Sequence, residues 1–346
     1  MIVNVLNQLF LRSFTHRIPL SATIELTGNC NFRCVHCYIA PEERLQYLSI
    51  DNVKSFVDQI HEAGCLYVTL TGGETLLHPS FVEIYSYIAR KGMIITVFTN
   101  GSLINDDIIR LFKCYRPKGV EITLYGASEE TYRATTNAYN KFDTVKQNIL
   151  MLKKHQINVT TKMFIVKENK EDYSKIVSWV RSEKIPFRFD DIIIAEPNSH
   201  ELEHQICQED IQFFEDHAYT TSELVDPDLR VETYINRTHK LFQCGAGRTT
   251  CVLKSNNMLR GCNFLSCFEY DMGQMSFKTA WSLMEHWTEL SIDSHTTCSS
   301  CQNREYCSYC PAISMIMKND FSMSMPNDQF CIIAQSRKEK SKFDAN

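Results

Sequence analysis

CNFRCVHC, residues 30–37, places three cysteines in a C-x3-C-x2-C spacing directly after a short β-rich run. This spacing lets one loop hold three corners of a cubane 4Fe–4S cluster while the fourth iron stays open, and iron–sulfur clusters prefer thiolate ligands. Zinc is the rival metal, but structural zinc sites favour paired C-x2-C sets that supply four ligands. The pattern therefore favours an iron–sulfur site built by Cys30, Cys34 and Cys37.

Short β-rich runs alternate with amphipathic stretches on both sides of this loop. Strands are predicted at Ala22–Leu26, Tyr67–Thr71, Ile94–Thr99, Gly119–Tyr125, Asn158–Phe164 and Phe187–Ile194. Apolar residues spaced by three and four predict helices at Ser49–Ala63, Phe81–Arg90, Asp106–Phe112, Asp143–His155 and Glu171–Glu183. Six strands that alternate with helices predict a parallel α/β sheet with right-handed crossovers. Chemistry in such sheets lies at the carboxyl ends of the strands, where the cysteines stand.

Composition excludes several classes of function. A chain of 346 residues with 44% hydrophobic residues predicts about two domains and a sizeable core. A net charge of −5 gives no general basic face, so nucleic acid is not expected as a partner. No apolar run reaches the roughly 18 residues of a membrane span, and the N-terminus lacks the features of a signal peptide. The odd number of cysteines, 15, indicates a reducing cytoplasm and metal binding.

The C-terminal part of the chain has a different character, because its apolar periodicity weakens and its cysteines become dense. Eight thiols there could form two four-ligand sites for zinc or iron–sulfur: Cys244, Cys251, Cys262, Cys298, Cys301, Cys307, Cys310 and Cys331. Metal binding supplies folding energy, so a domain of this kind needs little core of its own. The predicted segments are an N-terminal extension (1–19), the core (20–200), a connector with a helix at Gln208–Tyr219 (201–240), the cysteine-rich domain (241–335) and a charged tail (336–346).

Taken together, these motifs resemble the radical S-adenosylmethionine (radical SAM) superfamily, in its SPASM-domain subgroup of peptide-modifying enzymes. His36 stands in the aromatic position before the last cysteine of the signature, and Thr71-Gly72-Gly73-Glu74 resembles the GGE motif, with Thr75 in place of the usual proline. The resemblance implies a partial (β/α)6 TIM-like barrel with a small cysteine-rich SPASM domain. It also implies that the open iron chelates S-adenosylmethionine, whose reductive cleavage gives a 5′-deoxyadenosyl radical that takes hydrogen from a substrate.

The resemblance also implies the residues that bind the cofactor. His36 would lie against the adenine, the Gly-Gly-Glu motif would hold the methionine amino group, and two strand ends would contact ribose and carboxylate: His36, Gly72, Gly73, Glu74, Asn100 and Thr123. The alternative to a cofactor contact at Asn100 is a simple turn, since the dipeptide Asn-Gly favours positive φ. Arg188 and Asp190 could face the substrate or pair with each other.

The SPASM resemblance implies two auxiliary 4Fe–4S clusters, and therefore three clusters in all. Cys244, Cys251, Cys262 and Cys310 would hold the inner cluster, whereas the outer cluster would use Cys298, Cys301, Cys307 and Cys331. Cys251 is the least secure of these ligands. Full ligation suggests electron transfer, whereas an open iron would let a substrate thiolate bind. The sequence departs from the SPASM pattern at Asn257, a usual glycine, and in one loop length, and Cys267 has no assigned role.

The reaction implied by the resemblance is oxidative cross-linking of a ribosomally made peptide, by a thioether or a carbon–carbon bond. Oxidation or rearrangement of a small metabolite, and peptide epimerisation, are the alternatives, and a zinc-binding interaction protein is the alternative of a different class. Asn263 follows Cys262 where sulfatase-maturing relatives carry a catalytic aspartate, and an amide cannot act as a general base. Expected partners are the peptide, a flavodoxin- or ferredoxin-type electron donor and a separate leader-binding protein, because only about 20 residues precede the first strand.

Overall fold

The computed structural model describes residues 2–195, 199–217, 240–242, 244–292, 297–319 and 328–344. Its strands are β1 Ser21–Glu25, β2 Tyr67–Thr71, β3 Ile94–Thr99, β4 Gly119–Thr123, β5 Val159–Phe164, β6 Phe187–Asp190, β7 Thr250–Leu253, β8 Met258–Arg260 and β9 Tyr270–Asp271. They form one sheet in the order β6-β5-β4-β3-β2-β1-β7-β8-β9. Strands β1 to β7 pair in parallel, which confirms the predicted α/β core.

The helices follow the predicted alternation. They are α1 Ile2–His16, α2 Ile50–Glu62, α3 Phe81–Arg90, α4 Asp106–Cys114, α5 Glu129–Thr136, α6 Phe142–Lys154, α7 Tyr173–Ser182, α8 Gln208–His217, α9 Phe277–Leu283, α10 Glu285–Thr288, α11 Pro311–Lys318 and α12 Asp328–Asp344. Side-chain oxygens cap several of them, since Ser49, Asn105 and Ser128 accept from the backbone of the first turn. No helix among the described residues is both long and apolar enough to span a membrane.

Alternate side chains of the core strands serve two different surfaces. Val68, Leu70, Val97 and Ile122 are buried among the helices that cover the sheet. The side chains between them point to the other face, where the curved sheet encloses a cavity. This period of two follows from the pleat of a β-strand.

The cysteine-rich part continues the same sheet, because β7 pairs in parallel with β1. Strands β8 and β9 then extend the sheet in antiparallel fashion. The large side chains of Phe277 and Trp287 are buried in a core that is continuous with that of the barrel. This part is therefore built on a shared apolar core as well as on its thiols, which the weak periodicity of the sequence did not indicate.

A few elements differ from their predicted bounds. Strand β6 ends at Asp190 rather than Ile194, and the predicted helix Gln208–Tyr219 is described only as far as His217. The predictions did not include α1 or α5. The rest of the predicted connector, residues 218–239, lies outside the described part of the chain.

Candidate active site

A cavity of about 1500 Å³ opens at the carboxyl ends of β1 to β6. Most of the predicted cluster and cofactor residues of the core line this one space: Cys30, Cys34, His36, Cys37, Gly72, Gly73, Asn100 and Thr123. The volume exceeds the roughly 300–1,000 Å³ that is typical of sites for one small ligand. The cavity therefore has room for a cofactor together with a second molecule.

The loop that carries the cysteines is packed directly onto the Gly-Gly-Glu turn. The Gly73 amide donates to the Thr27 carbonyl over 2.8 Å, and the Glu74 amide donates to the Asn29 carbonyl over 2.7 Å. A Cβ atom at Gly72 would lie 2.3 Å from the Thr27 oxygen, and one at Gly73 would lie 2.4 Å from the Asn29 oxygen. The two glycines are thus required by backbone contact between the loops, in addition to any approach to a ligand.

The Glu74 carboxylate is held by hydrogen-bond donors of the protein itself. It is fully buried, and it accepts hydrogen bonds from Thr99 Oγ1 (2.7 Å), the Asn100 amide (2.6 Å) and the Leu76 amide (3.0 Å). Burial raises its pKa, and these donors oppose that rise. Glu74 is not among the residues that line the cavity. The carboxylate thus joins the ends of β2 and β3, and its contact with the methionine ammonium stays a prediction.

Asn100 is also held by the protein itself. Its side-chain nitrogen, Nδ2, donates to Asn31 Oδ1 over 2.8 Å and lies 3.8 Å from Cys30 Sγ. Its Oδ1 accepts from the amide and the hydroxyl of Ser102, and Gly101 has a φ of 78°. Asn100 thus forms a turn, which was the structural alternative to a cofactor contact. It also lines the cavity beside the cysteine loop.

Burial raises the pKa of Cys30 to about 11, and it raises the pKa of Cys34 still further. The nearby thiol of Cys37 adds to the rise in both. The Phe32 amide donates to Cys30 Sγ over 3.3 Å. Buried thiols of this kind ionise readily only when a metal takes the proton's place. Their chemistry and their position at the cavity fit an iron–sulfur cluster.

His36 presents a neutral ring to the cavity. Its imidazole stacks on Phe164 at the end of β5, with ring centroids 4.2 Å apart and planes inclined by 3°. Burial lowers its pKa to about 4, and the nearby His204 contributes to the shift. Its Nδ1 is buried and has no hydrogen-bond partner among the described residues. A flat ring with an unused polar atom fits a planar heterocycle such as adenine.

Two cations that line the cavity, Lys162 and Arg188, both bind the carboxylate of Glu121. Arg188 Nη2 lies 2.6 Å from Glu121 Oε2, and Lys162 Nζ lies 3.2 Å from the same oxygen. The suggested pairing of Arg188 with Asp190 is therefore wrong, although both residues line the cavity. Sequence reasoning missed Lys162 and Glu121, although charged residues at inward positions of predicted strands could have revealed them.

The outer group of cysteines surrounds a second, small cavity of about 70 Å³. Cys298, Cys301, Cys307 and Cys331 all line it. No three metal-ligating side chains among the described residues converge as closely as a single ion requires. A zinc ion with bonds of about 2.3 Å to sulfur would need such convergence, whereas the thiolates of a cubane bind separate irons.

The inner group contains three cysteines rather than the predicted four. Burial raises the pKa of Cys262 and Cys310, and the thiol of Cys244 is close enough to both to add to the rise. Cys251 lies on β7 opposite Ala22 of β1, is 1% exposed, and lies near the buried thiol of Cys65. The structure thus does not bring Cys251 to the inner group, because the pairing of β7 with β1 places it in the core of the sheet.

The inner group borders the main cavity. Asn263 and Phe264 directly follow Cys262, and both line the 1500 Å³ space together with Tyr38, the residue after Cys37. The rings of Tyr38 and Phe264 meet edge to face at 6.1 Å. The two cysteine regions therefore face one common space.

Residues 24–180 match the family model of the radical SAM superfamily, so this part of the chain is a radical SAM domain. It is 32% identical over 166 residues to the antilisterial bacteriocin subtilosin biosynthesis protein AlbA of Bacillus subtilis, a match that covers 47% of this chain and 37% of that protein. The mycofactocin maturase MftC of Mycobacterium ulcerans is 30% identical over 131 residues, covering 37% of this chain and 36% of its own. The AdoMet-dependent heme synthase of Methanosarcina barkeri is 22% identical over 91% of this chain and 96% of its own.

Solved structures show the same fold. SuiB of Streptococcus suis bound to S-adenosylmethionine superposes with a TM-score of 0.70 and 14% identity, covering 91% of this chain and 77% of that one. The native anSMEcpe structure with bound AdoMet and peptide gives a TM-score of 0.73 and 14% identity, covering 94% and 97%. These structures confirm the predicted fold, and the family model with the sequence relatives confirms the predicted resemblance to the radical SAM superfamily. The chain is an enzyme of the radical SAM class, whose cofactors are S-adenosylmethionine and a 4Fe–4S cluster.

Proposed function

We propose that this enzyme cleaves S-adenosylmethionine reductively and cross-links a ribosomally made peptide, through a thioether or a carbon–carbon bond. The observation that carries the proposal is the common cavity, which is lined by the Cys30–Cys37 loop and by Asn263 and Phe264, the two residues that follow Cys262 of the inner group. A substrate there would be within reach of both sites. AlbA and MftC, named for bacteriocin biosynthesis and for maturation of mycofactocin, support a peptide substrate.

The protein's own residues hold and shield the cofactor. Cys30, Cys34 and Cys37 would bind three irons, and the bound cofactor would supply the 5′-deoxyadenosyl radical. His36 offers its ring and free Nδ1 to the adenine. The backbone of Gly72 and Gly73 and the side chains of Asn100 and Thr123 line the remaining contact surface. The cavity walls would keep such a radical beside its substrate and limit side reactions with other hydrogen donors.

The other thiols would hold two auxiliary 4Fe–4S clusters. Cys298, Cys301, Cys307 and Cys331 supply four ligands to the outer one. Cys244, Cys262 and Cys310 supply three to the inner one, which leaves one iron for a ligand from the substrate. Beside it, Asn263 Oδ1 is buried and has no hydrogen-bond partner among the described residues. A cysteine of the peptide fits such a position, so the arrangement favours a thioether.

The test is a search for a short open reading frame beside the gene, followed by co-expression with the peptide it encodes and mass spectrometry. We expect the peptide to lose two hydrogen atoms for each cross-link, and Cys310→Ala to abolish this loss while cleavage of S-adenosylmethionine without product continues. An altered chirality with no mass change would contradict cross-linking. Colourless protein with stoichiometric zinc after anaerobic purification would contradict the iron–sulfur sites altogether.

A small metabolite is the second candidate substrate. The heme synthase relative aligns along 91% of this chain, far more than the peptide-modifying relatives do. The rate of 5′-deoxyadenosine formation distinguishes the peptide from the metabolite, because the true substrate raises this rate above that of the enzyme alone. Stimulation by an iron porphyrin and not by the peptide would favour the metabolite. A flavodoxin- or ferredoxin-type electron donor, a separate leader-binding protein and a cytoplasmic location complete the proposal.

A further inference from the structure

Asn31, Asn100 and Ser102 close a ring of hydrogen bonds beside the first cysteine loop. The side-chain nitrogen of Asn100, Nδ2, donates to Asn31 Oδ1 over 2.8 Å, and Asn31 Nδ2 donates to the Ser102 hydroxyl over 2.8 Å. That hydroxyl donates in turn to Asn100 Oδ1 over 2.7 Å. Each side chain therefore gives one hydrogen bond to the ring and accepts one from it. The ring joins the cysteine loop to the turn that follows β3.

The ring fixes the direction in which the Asn100 side chain faces. Its Oδ1 accepts from both the backbone amide and the hydroxyl of Ser102. A flipped side chain would set its NH₂ group against that backbone amide, which donates and cannot accept. Asn100 is only 5% exposed and Ser102 only 8%, so water offers little compensation for a lost hydrogen bond. The nitrogen of Asn100 is thus held on the side of the cysteine loop.

The nitrogen held in this way reaches a thiol. Asn100 Nδ2 lies 3.8 Å from Cys30 Sγ, and the Phe32 amide donates to the same sulfur over 3.3 Å. An NH₂ group carries two hydrogens, so one serves Asn31 while the other faces the sulfur. Burial raises the pKa of the Cys30 thiol, and both donors oppose that rise because they favour the charged thiolate. The surroundings of this sulfur therefore support negative charge on it.

We propose that the Asn31–Asn100–Ser102 ring raises the reduction potential of the first 4Fe–4S cluster by holding a hydrogen-bond donor on the Cys30 thiolate. Reduction adds one electron from an external donor, so the cluster and its thiolates gain one negative charge. Hydrogen bonds to the sulfur atoms stabilise that added charge and are among the factors that set such potentials. The three side chains act through the thiolate and are therefore positioning residues. The inference rests on the proposed function only for Cys30 as a cluster ligand.

A redox titration of the anaerobically purified holoenzyme, with dithionite as reductant and EPR as the readout, measures this potential. The signal of the first cluster is recognised because addition of S-adenosylmethionine changes it. Asn100→Asp keeps the shape of the side chain but replaces its donor with a carboxylate. In this variant we expect the ratio of reduced to oxidised cluster at a fixed potential to fall about tenfold, which is about 59 mV for one electron. Asn100→Ala should lower the potential less, because it removes the donor and adds no charge.

Asn148→Ala is the matched control. Asn148 Nδ2 donates to the Gly101 carbonyl over 2.8 Å, so this variant also removes a hydrogen bond from the turn but leaves the ring and Cys30 unchanged. It should titrate like the wild type. A shift as large as that of Asn100→Ala would show that a looser turn, and not the donor, changes the potential, and would overturn the proposal.

Ser102→Ala decides if the Asn100 variants do not assemble the cluster. It removes only the hydroxyl that closes the ring, so its potential should still lie below that of the wild type, and an unchanged potential would overturn the proposal. Absence of any wild-type signal that responds to S-adenosylmethionine would overturn it together with the proposed function. A normal signal with the same potential in the wild type and the ring variants would overturn this inference alone.

Discussion

The loop of the first cluster and the outer cysteine group are held by different forces. Backbone hydrogen bonds fix the loop on several sides, from Gly28 to Gln46, from Arg33 to Thr136 and from Val35 to Thr135. The outer thiols instead stand on short turns and loops and, for Cys331, on α12, and Cys301 and Cys331 are exposed. The protein thus shapes the first site in advance, whereas metal would contribute more to the shape of the second.

The largest effect is expected at the first cluster. Cys30→Ala should abolish formation of methionine and 5′-deoxyadenosine, because one iron loses its thiolate, while the melting temperature changes by no more than a few degrees. Liquid chromatography with mass spectrometry measures the two products, and circular dichroism measures the melting temperature. Cys114→Ala, an exposed thiol on α4, is the control and should cleave the cofactor normally. Cleavage that persists in Cys30→Ala would show that this loop does not hold the cluster.

Removal of iron should separate the two regions. After anaerobic chelation we expect amide exchange to accelerate by orders of magnitude in residues 297–319 and 328–344, since metal sites of this kind contribute several kcal/mol to local stability. Amides of β2 to β5 should keep their protection, because strand pairing and the apolar core hold them. Hydrogen exchange with mass spectrometry measures both. Equal loss of protection in β2 to β5 would contradict the difference between the regions.

The strands and the first cysteine loop could be predicted from the sequence because their signals are local. Strands β2 and β3 have their predicted bounds, since each is a short apolar run between turn residues. The C-x3-C-x2-C spacing likewise lies within one loop. The resemblance to known enzymes then supplied the arrangement of the loops around a cofactor.

The remaining features depend on pairing that spacing alone does not reveal. Cys251 has the sequence position of a ligand, but the pairing of β7 with β1 turns it into the core. The Glu74 carboxylate accepts hydrogen bonds from donors at the end of β3, 25 and 26 residues away. Lys162 and Arg188 meet only because β5 and β6 pair in one register. Such contacts follow from tertiary packing, which local sequence patterns do not encode.

Glu74→Gln tests how far the first site is shaped by the protein. The amide offers one acceptor oxygen to three donors and brings a donor of its own, so we expect the free energy of unfolding to fall by about 2 kcal/mol. Cofactor affinity should also fall, because the Asn100 amide loses its acceptor. Urea unfolding and equilibrium dialysis with S-adenosylmethionine measure the two effects. Glu62→Gln, at the end of α2, is the control. Unchanged stability would show that the buried carboxylate does not join the ends of β2 and β3.

The smallest effect separates Cys251 from the ligands of the inner site. Cys251→Ala should leave the iron content per chain unchanged and should lower the free energy of unfolding by about 1 kcal/mol, the cost of a small cavity in the core. Cys244→Ala, the matched variant, should lower the iron content because it removes one of three thiolates. Iron analysis and urea unfolding of both variants provide the measurements. If Cys251→Ala loses as much iron as Cys244→Ala, the inner site has four protein ligands and no iron is left for a substrate thiolate.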